Sequence, residues 1–419
     1  MTKLSVGDFQ VEEINNPESL LALSDEWRQL LQRSAVDLMF LTPEWLQGCW
    51  RHFCSESLRR FVPELLAITV RDPQGELQAL APFKITAHDF FGYRLRVVSF
   101  WGEDASDYND ILLSRAVSRA KVTAAILAYL QQQAARWEVL DLRNLYAESD
   151  TLTLVAEQSK RLQWFNKTAE ESYCRFIPMR GGWDDYFAEC CSAQGRRDHR
   201  KEWRRLEAVA PVEVQLAGGG EGLHDLLETL ADIESRHPGI DNARPGFLRT
   251  FPFRAFLEEF LENPVSSQWL RVVLMRCGDV PVAYYLTFLY QGRYYAYLTS
   301  YRDDYRRYGV GRLTFIRMLQ LFWDSGASEI DLLRGEEGYK ANWAKQGRQS
   351  MRLASYRSDV SSRIAAWLWL KLLPGMERGL PRLFYAFTLL NESGWGAIRA
   401  WLMQRLGIGR TQPDKTSGG

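Results

Sequence analysis

The chain has 419 residues, 46% apolar and 25% charged, and its 52 Lys and Arg balance 52 Asp and Glu. That length exceeds one ordinary core, so two or three domains are expected. Zero net charge removes any whole-chain argument for DNA or an acidic partner, and leaves an anion site to local residues.

Six scattered cysteines without a Cys-x-x-Cys pair, and five dispersed histidines, speak against a disulfide framework and a protein-bound metal. The first residues lack the apolar core of a secretory signal. No run reaches the roughly 18 apolar residues of a membrane span. A cytoplasmic protein is expected, with a peripheral position at the inner membrane face left open.

In chain order, residues 61–71, a turn at Asp72–Gly75 and residues 76–85 read as a hairpin. Residues 93–101 form another expected strand, 117–135 a helix and 137–143 a strand. Arg196, Arg197, Arg200, Lys201, Arg204 and Arg205 recur at helical neighbour spacing. A solvated basic face is the plain reading of that helix; phosphates of a cofactor, an anionic head group or tRNA are the sharper ones. Residues 269–277, 280–290 and 293–301 are β-branched or aromatic runs joined at Gly278-Asp279 and Gln291-Gly292, as in an antiparallel meander. Leu313, Ile316 and Leu319 give 312–323 the spacing of a buried helix. Strands are then expected at 329–334, parallel to a meander strand, and at 351–356. From Ser358 the chain is Trp-rich and basic, and 411–419 reads as disordered.

Between a strand and a helix start lies Arg306-x-x-Gly309-x-Gly311. A pyrophosphate must approach backbone closely, so side chains have to be absent there, and the helix start offers N–H groups and a positive dipole end. Arg306, Arg307, Gly309, Val310, Gly311 and Arg312 are therefore the expected cofactor-binding residues. A plain turn with solvent arginines is the competing reading. Meander, loop, helix and strand in this order match the GNAT acyltransferase core, whose acyl-CoA loop is (Gln/Arg)-x-x-Gly-x-(Gly/Ala). The first half repeats the order, and residues 137–144 resemble 328–335 in character. The expected fold is α/β: two tandem GNAT-like halves, each a mixed twisted sheet with flanking helices, at 1–175 (without the CoA loop) and 176–357 (with it), then a helical tail at 358–419.

Ile330-Asp-Leu-Leu-Arg-Gly, with Tyr339-Lys340 and Trp343, resembles the signature of the acetyltransferase family named for bacterial cellulose biosynthesis, the CelD/BcsL group. The 196–207 helix and Asp107-Tyr-Asn-Asp110 are similar to two further elements of that family, although His199 and Trp203 depart from its helix. The resemblance implies FemABX-like tandem halves and a bacterial enzyme moving an acyl group, acetyl first, from acyl-CoA to an amine or hydroxyl of an envelope saccharide or related metabolite. Rival expectations are a Fem-like transferase using aminoacyl-tRNA, and a non-catalytic accessory protein of polysaccharide assembly.

Acyl transfer needs a base for the nucleophile, donors for the oxyanion and an acid for the leaving thiolate. Asp331, Tyr339, Lys340, Glu336 and Asp304 are the candidate catalytic residues, with Asp303 and Glu337 as further carboxylates and Tyr308 as a further acid. Arg334, Arg200 and Arg204 are candidates for holding an anionic substrate. A solvated surface charge is the plain alternative for each carboxylate. The implied partners are acyl-CoA, a small-molecule or glycan acceptor, and a peripheral membrane or polysaccharide-assembly partner, without DNA or metal. From Arg357 to Arg410 eight basic residues face three acidic ones, the composition of an interfacial segment or of helices packed on the core.

Overall fold

The computed structural model describes residues 3–54, 61–90, 92–218, 222–240, 246–335, 337–380 and 385. Glu336, the Gly219-Gly220 pair and the tail beyond Leu380, Tyr385 excepted, lie outside them. The strands are β1 (Lys3–Val6), β2 (Phe9–Ile14), β3 (Glu64–Arg71), β4 (Leu77–Phe90), β5 (Tyr93–Phe100), β6 (Leu112–Leu113), β7 (Val139–Leu145), β8 (Phe165–Pro178), β9 (Val212–Gly218), β10 (Leu270–Cys277), β11 (Val280–Tyr290), β12 (Arg293–Tyr301), β13 (Glu329–Asp331) and β14 (Gln346–Tyr356).

They make one 14-stranded mixed sheet in the order β1-β2-β3-β4-β5-β7-β14-β8-β13-β12-β11-β10-β9, with β6 on β4. Two GNAT-like halves are present as expected, but their sheets are fused rather than separate. The closing strand of the second half, β14, pairs antiparallel with β7 of the first. β8 pairs antiparallel with both β14 and β13. The division expected at 175/176 falls inside β8.

Each half carries a helix across the same kind of junction. In the first, Val122, Ile126 and Leu130 of the Arg119–Gln132 helix pack on Phe83, Val98 and Leu140. In the second, Phe315, Ile316, Leu319 and Phe322 of the Val310–Trp323 helix pack on Val273, Tyr285 and Ile330. Successive strand residues point to opposite faces. Tyr294 accordingly stacks on Phe322 (3.6 Å between ring centroids) while Tyr295 turns to Phe40 on the other side (5.4 Å). On that other side helices of both halves share one core: Trp45 of Pro43–Phe53 meets Phe256 and Phe260 of Phe253–Glu262 at 4.9 and 5.1 Å. The two halves are thus joined through sheet and core alike.

The tail begins with a helix at Val360–Trp367, N-capped by Asp359, whose side chain accepts from the Ser362 N–H (2.9 Å). A wider π turn at Leu368–Leu372 precedes the Leu373–Gly379 helix. Ala365, Leu368, Leu370 and Leu373 pack on Leu95, Val97 and Val139 of the first half, so this stretch is core.

Candidate active site

β12 and β13 pair in parallel only over Arg293–Tyr295 and Glu329–Asp331. β12 continues to Tyr301, whereas the chain after β13 turns away. The Asp331 carboxylate accepts the Leu333 N–H (2.8 Å), and Leu333 takes a φ of 56°. That side-chain cap ends the strand three residues before the expected limit at Arg334, and it opens a wedge along Ala296–Tyr301.

The far end of β12 leads through a tight turn at Asp303–Tyr308 into the Val310–Trp323 helix. Gly309 is the N-cap at a φ of 72°, where L side chains are strained. No side chain caps this helix, and the first-turn N–H groups of Val310, Gly311 and Arg312 have no partner within it. Added Cβ atoms would stand 2.8 Å from the Glu202 carboxylate at Gly309 and 3.2 Å from the Tyr301 ring at Gly311. Both glycines keep the helix start bare.

Wedge and helix start open on one cleft of about 690 Å³. Gly311, Arg312 and Phe315 form one wall, Tyr285 and Thr299–Tyr301 another; Glu337, Tyr339 and Asn342 form a third, and Cys190, Cys191, His199 and His237 line the rest. The Tyr339 and Tyr285 hydroxyls are 3.4 Å apart. Burial raises the pKa of both, so both remain protonated and able to donate. Burial, then the nearby Arg312 charge, lowers that of His199, whose Nδ1 is buried without a partner. The Cys190 and Cys191 thiols are pushed up by burial and stay neutral. Glu337 is half-exposed and pairs with Lys340 at 2.8 Å. It is the one carboxylate among the described lining residues.

Of the expected loop residues Gly311 and Arg312 line the cleft, Arg312 tied to Glu202 (Nε to Oε2, 3.2 Å), whereas Gly309 precedes them as the N-cap and Val310 is buried in the core. Arg306 and Arg307 are exposed on the adjoining turn. Asp304 sits on the same turn, paired with Arg302 at 2.9 Å, and does not line the cleft. Its hydrogen bond to Arg302 lowers its pKa. The Ala193–Glu207 helix packs beside this turn, with Arg200 and Arg204 pointing to solvent.

Asp331 and Lys340 are instead buried behind the cleft. Asp331 accepts from the Tyr108 hydroxyl (3.0 Å) and from Arg348 (3.3 Å). Lys340 donates to the Leu332 and Arg334 carbonyls, each at 2.9 Å. Both therefore hold the stretch that carries Glu337 and Tyr339. Arg334 reaches into the first half, to Asp107 (2.5 Å). The Asp107-Tyr108 element thus meets the Asp331…Arg334 element across the joint between halves. Glu336 lies outside the described residues. Sequence reasoning overlooked His237, Tyr285, Asn342 and the cysteines, which come from separate stretches with no shared spacing. His199 was visible only as a departure from an expected pattern.

The family model of the acetyltransferase (GNAT) domain matches residues 193–341. No curated protein matches the chain. Among solved structures, a crystal structure of FemX is 9% identical with a TM-score of 0.54, covering 88% of this chain and 100% of its own. L-PGS from Bacillus licheniformis is 14% identical with a TM-score of 0.48, over 86% and 98%. A tandem GNAT protein from the clavulanic acid biosynthesis pathway is 9% identical with a TM-score of 0.46, over 84% and 100%. The likeness to FemX, at 9% identity, concerns the fold alone. Residues 193–341 form a GNAT-type acyltransferase domain.

Proposed function

We propose, from that domain assignment, that the protein transfers an acyl group, acetyl first, from acyl-CoA to an amine or hydroxyl of an envelope saccharide or related metabolite, in the manner the CelD/BcsL resemblance implies. The supporting observation is the wedge between β12 and β13 running to a bare helix start. Backbone N–H groups of Val310, Gly311 and Arg312 would hold the donor's pyrophosphate. Arg306, Arg307, Arg200 and Arg204 stand outside the mouth for further phosphates. The open edge of Ala296–Tyr301 offers hydrogen bonds to the extended arm of the donor.

Glu337 takes the proton of the acceptor as its nitrogen or oxygen attacks the thioester carbonyl. Tyr339 gives a proton to sulfur as the carbon–sulfur bond breaks, and Tyr285 lies beside that hydroxyl. Asp331 and Lys340 position this pair from behind. Calorimetry with acetyl-CoA tests the donor site. Gly311→Val should weaken binding by at least about tenfold, equivalent to about 1.4 kcal/mol, and Arg306→Ala by about 1.5–3 kcal/mol for a charge-assisted bond. Both variants should keep the fold, and wild-type affinity in both would rule the site out. The exposed basic face of the 193–207 helix favours one other donor, aminoacyl-tRNA; binding of that RNA, falling steeply with salt, in place of acetyl-CoA would establish it.

Peripheral membrane contact is proposed for the tail. Val360, Ile364 and Trp367 are exposed at helical spacing on the face turned away from the core. Among the described residues no helix is long and apolar enough to cross a bilayer. Flotation with anionic liposomes should carry the full chain at low salt and release it in a Trp367→Ser, Ile364→Ser variant. A full chain that stays with the soluble fraction removes the idea.

A further inference from the structure

The first half holds a second cavity, of about 230 Å³, on the sheet face opposite the Arg119–Gln132 helix. Ile85 and Val98 pack under that helix, so their neighbours Thr86, Val97 and Ser99 point the other way, into this cavity. Trp369 of the tail and Arg334 of the second half complete its walls. We propose that it is a binding site for one neutral saccharide ring. The proposal goes beyond the acyl-transfer reading and does not depend on it.

Charge comes first. The carboxylates and guanidinium groups of the walls already have protein counter-charges. Lys84 lies 3.3 Å from Glu103 and 3.2 Å from Asp104. Asp141 binds Arg352 through two 2.7 Å bonds. Arg143 is held through Nε by Glu171 (2.7 Å) and Arg334 through Nε by Asp107 (2.5 Å). Both guanidinium groups are thus taken and Lys84 is shared by two carboxylates, so an anionic ligand gains no free cation here. A neutral ligand rich in hydroxyls gains the remaining donor and acceptor capacity of these anchored groups.

The Thr86 hydroxyl supplies an independent sign of a missing ligand. The residue is 6% exposed, and its Oγ1 is buried without a hydrogen-bond partner. Buried side-chain hydroxyls are nearly always satisfied. This one lines the cavity, where a ligand hydroxyl would complete it.

Shape narrows the class. The Trp369 indole is locked by its Nε1 bond to Asp141 (2.7 Å) and leans on the His88 ring at 4.7 Å. A fixed aromatic surface framed by carboxylates, guanidiniums and hydroxyls suits a ring with an apolar C–H face and polar groups at its rim, which is a pyranose. The volume lies below the roughly 300–1,000 Å³ of pockets for drug-sized ligands, so it suits a single ring.

The test uses the full chain and saturation-transfer NMR with methyl glucoside, methyl galactoside and N-acetylglucosamine. At least one should bind. Thr86→Val should weaken that binding about three- to tenfold and raise the ligand-free unfolding midpoint, because an unsatisfied hydroxyl is gone. Trp369→Leu, which keeps an apolar side chain on the tail, should weaken binding by about tenfold or more. Gly311→Val should leave it unchanged, whatever happens to acetyl-CoA binding. Absence of binding by all three sugars overturns the proposal, as does wild-type affinity in both cavity variants. Loss of sugar binding in Gly311→Val would place the sugar in the other cleft and overturn it equally.

Discussion

Glu337→Gln should lower kcat by about 10²–10⁴-fold, the range for removing a general base, and leave the affinity for acetyl-CoA near wild type. The side chain lines the cleft beside Tyr339 and is half-exposed, so an acceptor can reach it. Only the Glu337 end of the pair is half-exposed, and the buried Lys340 keeps its two backbone carbonyls, so the fold should survive the change. Tyr339→Phe should lower kcat within the same range by removing the proton for the leaving thiolate, again with donor affinity kept. Steady-state kinetics beside calorimetry separate the two effects. If Glu337→Gln turns over like wild type, the base is a different group, and His237→Asn and His199→Asn become the variants to measure.

Asp331→Ala should destabilise the protein by about 3–5 kcal/mol, the cost of breaking a buried charged pair. Arg348 loses one of its carboxylates, and the Tyr108 hydroxyl and Leu333 N–H lose their acceptor. Asp331→Asn keeps an acceptor oxygen and should cost less. Its pH dependence is the sharper signature. Burial, opposed by the Arg348 charge, raises the Asp331 pKa from 3.8 to about 6. A carboxyl raised in the folded state stabilises most when protonated. That contribution is complete below about pH 4 and is lost as pH rises through about 6. Over this window wild type should lose about 3 kcal/mol relative to Asp331→Asn, at 1.36 kcal/mol per pKa unit. Urea unfolding of both proteins across pH 4 to 7 checks it, and a constant difference would show that Asp331 does not titrate there.

What the sequence revealed was local. The meander β10–β12 followed from runs of β-branched and aromatic residues and from its turns. Gln291 and Gly292 take positive φ values of 50° and 73°, as a tight two-residue hairpin needs. The helix after the loop followed from Leu313, Ile316 and Leu319, all of which are buried. Strand β8 was missed because its segment, Phe165–Pro178, mostly carries polar or half-exposed side chains and no apolar alternation. Its backbone pairs with β14 along Phe165–Phe176 and with β13 over Phe176–Pro178 even so, and hydrogen bonding of that kind leaves little mark on residue type. The same limit applied to the site. Gly309 and Gly311 announce themselves by what they lack, a feature any sequence displays. Whether Asp331 faces a substrate or an arginine is decided by Arg348, a residue on β14, and no spacing rule connects the two.

The crossing of β14 onto β7 sets the order in which the molecule can be completed. During synthesis the first half leaves the ribosome with its partner strand still to be made, so β7 cannot gain that neighbour until residue 356 has emerged. An open strand edge is adhesive, and a contact made across so long a stretch of chain forms late. The two halves therefore mature together rather than in turn, and the cleft of the second is finished only when the first has accepted its last strand.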